Sequence, residues 1–405
     1  MEIPKGVTTI GSGSFAGCTG LTGITIPDSV TSIEDSAFAL CTGFTKIGFP
    51  DSVTSIGQYA FSCCSGLAKV SFGKGIETVR PFAFEECSNL SGVFITDIVA
   101  WCKVDFIGGS TPLYYAKNLY LNGNKVTDLV IPDGVTDIGW GVFRNCESLT
   151  SVKIPDSVKN IKSGTFNGCI NLTNIRIPDG VVNIGRDAFY NTGYYNTANN
   201  WENGVLYIGK HLIKADALTV ESCSVLASTK SIADGAFENC YALADVTIPE
   251  GVISIGGSCF SDCVSLKNIV IPESVTLIGE YAFSRCGLED IIIPQNVTSI
   301  GRGAFSESSL KKATLLANIT SIAMETFYGC NALESITLPN NITNIQQKAF
   351  YGAGLYNSDG IRQLLIEFQG TKAEWNAIEK EDGWDDDHNK SKIIKIVCRD
   401  GVIKN

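Results

Sequence analysis

Thirteen phenylalanines recur along this chain at a near-fixed period: Phe15, Phe38, Phe61, Phe84, Phe143, Phe166, Phe189, Phe237, Phe260, Phe283, Phe305, Phe327 and Phe350. Most neighbours are 23 residues apart, two intervals are 22, and two are longer. A unit of that size cannot bury a core of its own. It acquires one only by stacking on its neighbours, so the period specifies a solenoid. A length of 405 residues would otherwise suggest several globular domains. A stacked array removes that expectation, because it grows along one axis.

Residues 21–43 show how one repeat is built. Leu21, Ile24 and Ile26 alternate as a half-buried strand does. Pro27 ends that strand, since it has no N–H to give to a ladder; ten of the twelve prolines fall in this slot. Asp28 and Ser29 are turn residues. Val30 and Ile33 form the next inward pair and predict a second short extended segment. A glycine often follows, as at Gly57 and Gly256, where the chain is expected to bend. Ala37-Phe38 then predicts one helical turn packing inward.

Ten of the fifteen cysteines stand three residues after a repeat phenylalanine, from Cys18 and Cys41 to Cys286 and Cys330. Equivalent positions on stacked coils are about 4.8 Å apart. Such a column reads as unpaired thiols filling a core slot, because free cysteine behaves as a small apolar side chain. No C-x-x-C occurs, and the two histidines, His211 and His388, are far apart in sequence. A zinc site is not expected.

The pattern I-P-x-x-V-x-x-I-G-x-x-A-F-x-x-C-x-x-L, with Leu21-x-x-Ile24-x-Ile26 as its core, resembles the Treponema pallidum-type leucine-rich repeat of BspA-like bacterial surface proteins. The resemblance covers roughly residues 1–355. Ser29, Ser52 and Ser157 stand where ordinary leucine-rich repeats carry an asparagine ladder. The expected fold is a β-dominated α/β repeat solenoid. It is a right-handed leucine-rich-repeat superhelix with a parallel sheet on the concave face and short strands and helical turns on the convex face. The expected layout is a solenoid over residues 1–360, with insertions at about 91–128 and 190–228, and a C-terminal cap over 361–405.

Asn122-Gly123 between alternating apolar residues predicts a hairpin in the first insertion, and Val205–Ile213 predicts one in the second. Each insertion is expected to hold an irregular coil, so the stack continues through it. In the cap, Leu364–Phe368 and Ile393–Val397 read as strands, and Thr371 with Glu374 reads as a capping box ahead of Trp375. Met1–Val7 is in phase with the middle of a repeat. That phase suggests a chain cut from a longer protein, with any export signal upstream.

Thirty-one Lys and Arg against 42 Asp and Glu give a net charge of −11. That balance argues against nucleic acid and against an anionic membrane surface as partners. No apolar run approaches the ~20 residues of a membrane span. No catalytic constellation, cofactor motif or metal motif stands out. His211 reads as a solvated hairpin histidine. The acidic run Asp382–Asp387 reads as a solvated loop, with a calcium loop as the alternative.

Two sets of residues remain as candidate binding sites. The outward positions of the main sheet offer Lys46, Lys69, Lys153, Asn174 and Arg176 in the first half. The second half offers Asp245, Thr247, Asn268, Val270, Asp290, Ile292 and Lys312. The inserted aromatics Trp101, Tyr114, Tyr115, Tyr194, Tyr195 and Trp201 are the other set, with packing of the hairpins as the rival account. The resemblance implies a non-enzymatic recognition or adhesion module of a cell-surface or secreted protein, with a protein or glycan ligand. A structural spacer, or the recognition arm of a larger secreted enzyme, is the alternative.

Overall fold

The computed structural model describes residues 1–356, 362–385 and 392–403. They form two compact units: Met1–Val181 with Asp187–Asn200, and Val182–Arg186 with Trp201–Asn405. Each unit is a stack of coils, and most coils contribute a main strand, a two-residue strand and a tight turn.

In the first unit Lys46–Gly48, Lys69–Phe72, Gly92–Ile95 and Leu119–Leu121 lie parallel in that order. Asp128–Val130, Ser151–Lys153 and Asn174–Arg176 form another parallel run. The short strands make a layer of their own, in which Ile10, Ile33, Ile56, Val79 and Phe106 are in register. In the second unit the main run is Asp290–Ile293, Lys312–Leu315, Ser335–Leu338, Arg362–Phe368 and Lys392–Cys398, all parallel. Its short-strand layer aligns Ile232, Ile255, Ile278 and Ile300.

The phenylalanine column stacks face to face. Phe237, Phe260 and Phe283 have centroid separations of 5.0 and 5.3 Å, with rings within 7° of parallel. Phe15, Phe38, Phe61 and Phe84 repeat this at 5.1, 5.2 and 5.4 Å. The long gap after Phe84 contains no empty core. Trp101 packs edge-on against Phe72 and tilted against Phe106, each at 5.2 Å, filling the inserted coil.

The turn that carries the phenylalanine is not helical, contrary to the reading of Ala37-Phe38. Residues two before and two after the ring have left-handed φ, as at Ser36 (56°), Leu40 (61°), Ser258 (49°) and Asp262 (63°). The alternation turns successive amides toward one end of the stack. Ser258, Phe260 and Asp262 donate to the carbonyls of Glu280, Ala282 and Ser284 on the following coil at 2.7, 2.7 and 2.9 Å. In the short-strand layer the direction reverses, and Glu34 donates back to Ile10 at 2.9 Å. A buried amide must find an acceptor, so the last turn depends on the C-terminal segment. Lys348 donates to the Gly383 carbonyl at 3.0 Å and Phe350 to that of Trp384 at 2.8 Å.

Ser29, Ser157 and Ser274 in the asparagine slot close the outer loops, whereas the buried Ser52 Oγ finds no partner among the described residues. Ser157 Oγ accepts from the Gly134 amide at 3.2 Å and donates to the Val135 carbonyl at 2.8 Å. Ser274 does the same with Gly251 and Val252. One hydroxyl thus links two coils through both its donor and its acceptor capacity.

All fifteen cysteines are free thiols. Within the column Cys41, Cys64, Cys87, Cys169, Cys263 and Cys330 reach the phenylalanine carbonyl of the preceding coil, as Cys41 to Phe15 at 3.0 Å and Cys64 to Phe38 at 3.1 Å, whereas Cys286 reaches the Cys263 carbonyl at 3.3 Å and Cys146 lies 3.3 Å from Ser148 Oγ. Burial pushes Cys64, Cys102 and Cys286 up to about 12, and Cys146, Cys223, Cys240 and Cys330 up to about 11.

Phe260→Ala removes a ring packed on both faces and should cost about 3–5 kcal/mol, read as a fall in the urea midpoint. The thiols generate a second expectation. They hold their protons more tightly folded than unfolded, where the value is about 8.5. Their contribution is full below that pH and is lost as pH rises toward the folded values, at about 1.4 kcal/mol per pH unit for each thiol. Urea midpoints should therefore fall steeply between about pH 8.5 and 10.5. Cys64→Ala with Cys87→Ala should flatten the slope; an unchanged slope contradicts the assignment. Cys18 is exposed and Cys63 half-buried, so these should be alkylated promptly and the other thirteen only on unfolding.

Candidate functional site

Strand alternation sends one set of side chains inward and the next to solvent. In the first unit this leaves Lys46, Lys69, Lys153, Asn174 and Arg176 exposed. Asp245, Thr247, Asn268, Val270, Asp290, Ile292 and Lys312 are exposed in the second. Pairing register groups them into rows. Lys46, Lys69 and Gly92 form one row, and Val130, Lys153 and Arg176 another. Ser151 Oγ donates to Asp128, so the row through Asn174 begins with a satisfied carboxylate. In the second unit Asp290 faces Lys312 directly, which offsets their charges, while Ile292, Thr314, Thr337 and Glu367 continue beside them. Asp245 lies beside Ser222, and Thr247 beside Ser224. Asn268 and Val270 are exposed but lie outside the assigned strands.

The inserted aromatics divide. Trp101 belongs to the core, at 2% exposure, with its Nε1 donating to the Val142 carbonyl at 3.1 Å. It is thereby removed from the candidates: in the gap of the phenylalanine column only a large buried ring fills the coil. Tyr114 is exposed, packs edge-on against Tyr115 at 5.0 Å and lies under the Lys117 ammonium at 5.4 Å. Tyr115 is half-buried and its hydroxyl accepts from the Glu86 amide at 2.9 Å. Tyr194 and Tyr195 are half-buried, with Tyr195 edge-on to Tyr190 at 5.2 Å. Burial raises the Tyr194 phenol above its usual range. Trp201 is half-buried in a short strand paired with Val205–Leu206. Tyr115, Tyr194, Tyr195 and Trp201 thus spend part of their surface on packing.

The first unit also holds an open groove of about 470 Å³ on the outward face of its main sheet. Lys46 and Lys69 line it together with Thr25, Gly48, Ser71 and Phe94. Gly48, Ser71, Phe94 and Tyr120 share one register row. The Phe94 and Tyr120 rings stack at 4.6 Å and 12°. Both rings lean over Gly92, where a Cβ would come within 2.9 Å of Phe94 and 3.0 Å of Tyr120. Phe94, Tyr120 and Gly92 were not singled out from sequence. Their signal was present in the alternation Gly92-Val93-Phe94-Ile95, but an irregular coil was expected there without its outward positions being assigned. A second groove, of about 380 Å³, is lined by Lys162, whose ammonium is already paired with Asp105 at 2.9 Å.

The acidic run has a structural task. Its Gly383 and Trp384 carbonyls accept the last turn amides, and Glu381 accepts from the Gln347 amide at 2.9 Å. Among the described residues no group of three His, Cys, Asp or Glu is arranged to hold a metal. Asp386, Asp387 and His388 lie outside the described residues.

The family model for the BspA type leucine rich repeat region matches six copies, over residues 1–106, 115–243 and 230–356. Among solved structures the chain is similar to a leucine rich cell surface protein from Faecalibacterium prausnitzii. That alignment has 24% identity and a TM-score of 0.36, covering 90% of this chain and 92% of the other. A leucine-rich repeat protein from Bacteroides ovatus aligns at 22% identity and a TM-score of 0.34, covering 98% and 91%. The T. pallidum leucine rich repeat protein aligns at 23% identity and a TM-score of 0.24, covering 61% and 78%. No curated protein matches.

His211 is the clearest departure from the sequence reading. It is fully buried rather than solvated. The strand His211–Ala215 joins the short-strand layer beside Ser231–Ile232, which carries the ring into the core with it. Its Nδ1 lies 2.8 Å from the equally buried Ser231 Oγ. His211→Ala leaves that hydroxyl without the ring and should cost about 1–3 kcal/mol beyond the lost packing. Urea denaturation at neutral pH measures it; an unchanged midpoint restores a surface role for His211.

Proposed function

The chain belongs to the BspA type leucine-rich repeat family, and on that footing we propose that it is a non-enzymatic recognition module. Its proposed setting is a bacterial cell surface, and its proposed ligand is a protein or glycan held on the outward face of the main sheet. One observation carries the reading. The inward positions are spent on stacking, whereas the outward lysines, arginine and rings of the first unit are not required by it. Rigid sheet positions present such side chains at fixed spacing.

The proposed layout is an array over residues 1–360 closed by a cap over 361–405. The parallel pairing of Arg362–Phe368 onto Ser335–Leu338 supports it, as do the turn amides taken up by Gly383 and Trp384. Among the described residues no helix is long and apolar enough to cross a membrane. Attachment to a surface would then come from elsewhere in the protein or from the ligand itself.

The test is a screen of the whole chain against immobilised glycans and extracellular proteins. It is repeated with Lys46→Glu, Lys69→Glu, Lys153→Glu and Arg176→Glu combined. A ligand whose affinity falls about ten-fold or more in the variant supports the reading. A ligand indifferent to all four changes moves the site off the first unit's part of this face. A screen without any ligand favours the spacer.

A further inference from the structure

The groove beside Phe94 has a more definite chemistry than the rest of the face. We infer that it is a subsite for a carboxylated sugar, a uronic or sialic acid unit of a glycan. The inference rests on the recognition reading and goes beyond it in naming the ligand class.

Four features converge. The wall is flat and apolar: the Phe94 ring, backed by Tyr120 stacked on it from the adjacent strand, with both rings over Gly92. The floor beside the wall is low, made by Gly48 and Ser71 with Thr25 beyond them, while Met1, Gly23 and Ile24 line the far side, so a ring can lie against the wall. Two hydroxyls on that floor can donate or accept. The charge is of one sign. Lys46 and Lys69 line the groove and no Asp or Glu does. Among the described residues neither ammonium belongs to an ion pair. The Lys69 ammonium lies 5.6 Å from the Phe94 centroid, held where cation and ring serve one ligand together.

A pyranose carrying a carboxylate matches this set. Its C–H face packs on the ring, its carboxylate meets the ammonium groups, and its hydroxyls reach Thr25 and Ser71. An acidic peptide matches less well. Lys69–Phe72 is hydrogen-bonded on both sides in the ladder, so a peptide could pair only with the end strand Lys46–Gly48, two strands away from the one that carries Phe94. A long polyanion is opposed by the net charge of −11. A short ligand with one or two carboxylates is not.

The whole chain is titrated by calorimetry with oligosaccharides ending in glucuronic acid or N-acetylneuraminic acid. Neutral counterparts and a hexaglutamate peptide serve as comparisons. The acidic sugars should bind at least about ten-fold more tightly than the neutral ones and weaken with salt. Lys46→Gln and Lys69→Gln should each weaken binding several-fold. Ser71→Glu, an exposed change on the floor, should abolish it with no shift in the urea midpoint. Equal binding of neutral sugars, binding of the peptide alone, or no binding overturns the inference. A screen ligand lost on Lys153→Glu with Arg176→Glu, yet indifferent to Lys46→Gln and Lys69→Gln, overturns the subsite and leaves the recognition reading standing.

Discussion

The main-chain ladder between coils is the constraint on which everything else depends. It holds successive coils one strand spacing apart, about 4.8 Å. Every residue then lies against its counterpart one repeat away. A ring stacked at 5.0–5.5 Å is compatible with that spacing only if the next coil also offers a ring. The same holds for the thiol that donates to the preceding phenylalanine carbonyl. Repetition of sequence is therefore the consequence of a fixed translation, and the columns are strict only where the side chains face inward.

The ladder has a direction as well as a spacing. In the turn layer, left-handed residues on either side of the phenylalanine aim the amides at the following coil. In the short-strand layer the amides point back. A stack built this way ends with unpaired donors in its last turn. The carbonyls of Gly383 and Trp384 satisfy two of them. The described part of the acidic run, residues 382–385, read from sequence as part of a solvated loop or a calcium loop, meets a hydrogen-bonding need here.

Much of the fold was legible because it is written in side chains that repeat. The strand, the proline stop, the second apolar pair and the thiol column each recur often enough to be recognised. The site was legible in part. Lys46, Lys69, Lys153 and Arg176 could be assigned to the outer face because alternation in a strand decides sides. Phe94 and Tyr120 were missed because residues 91–128 lack the repeat pattern, although Gly92–Ile95 and Leu119–Leu121 continue the sheet in register. His211 and Trp101 were misplaced for the same reason. An irregular coil has no column against which to judge whether a residue faces in or out.

The sequence by itself determined the repeat unit, its phase, the parallel stacking and the family of the fold. These follow from local pattern and from the fact that so short a unit must stack. Tertiary structure decided the backbone of the turn, where hydrogen bonds to the next coil hold left-handed geometry at Ser36, Leu40 and Tyr59 as well as at the permissive Gly13 and Gly17. It also decided the burial of His211 and the juxtaposition of Lys69 with Phe94. Those depend on which coil follows which in space, and where an insertion intervenes that order cannot be counted from the period.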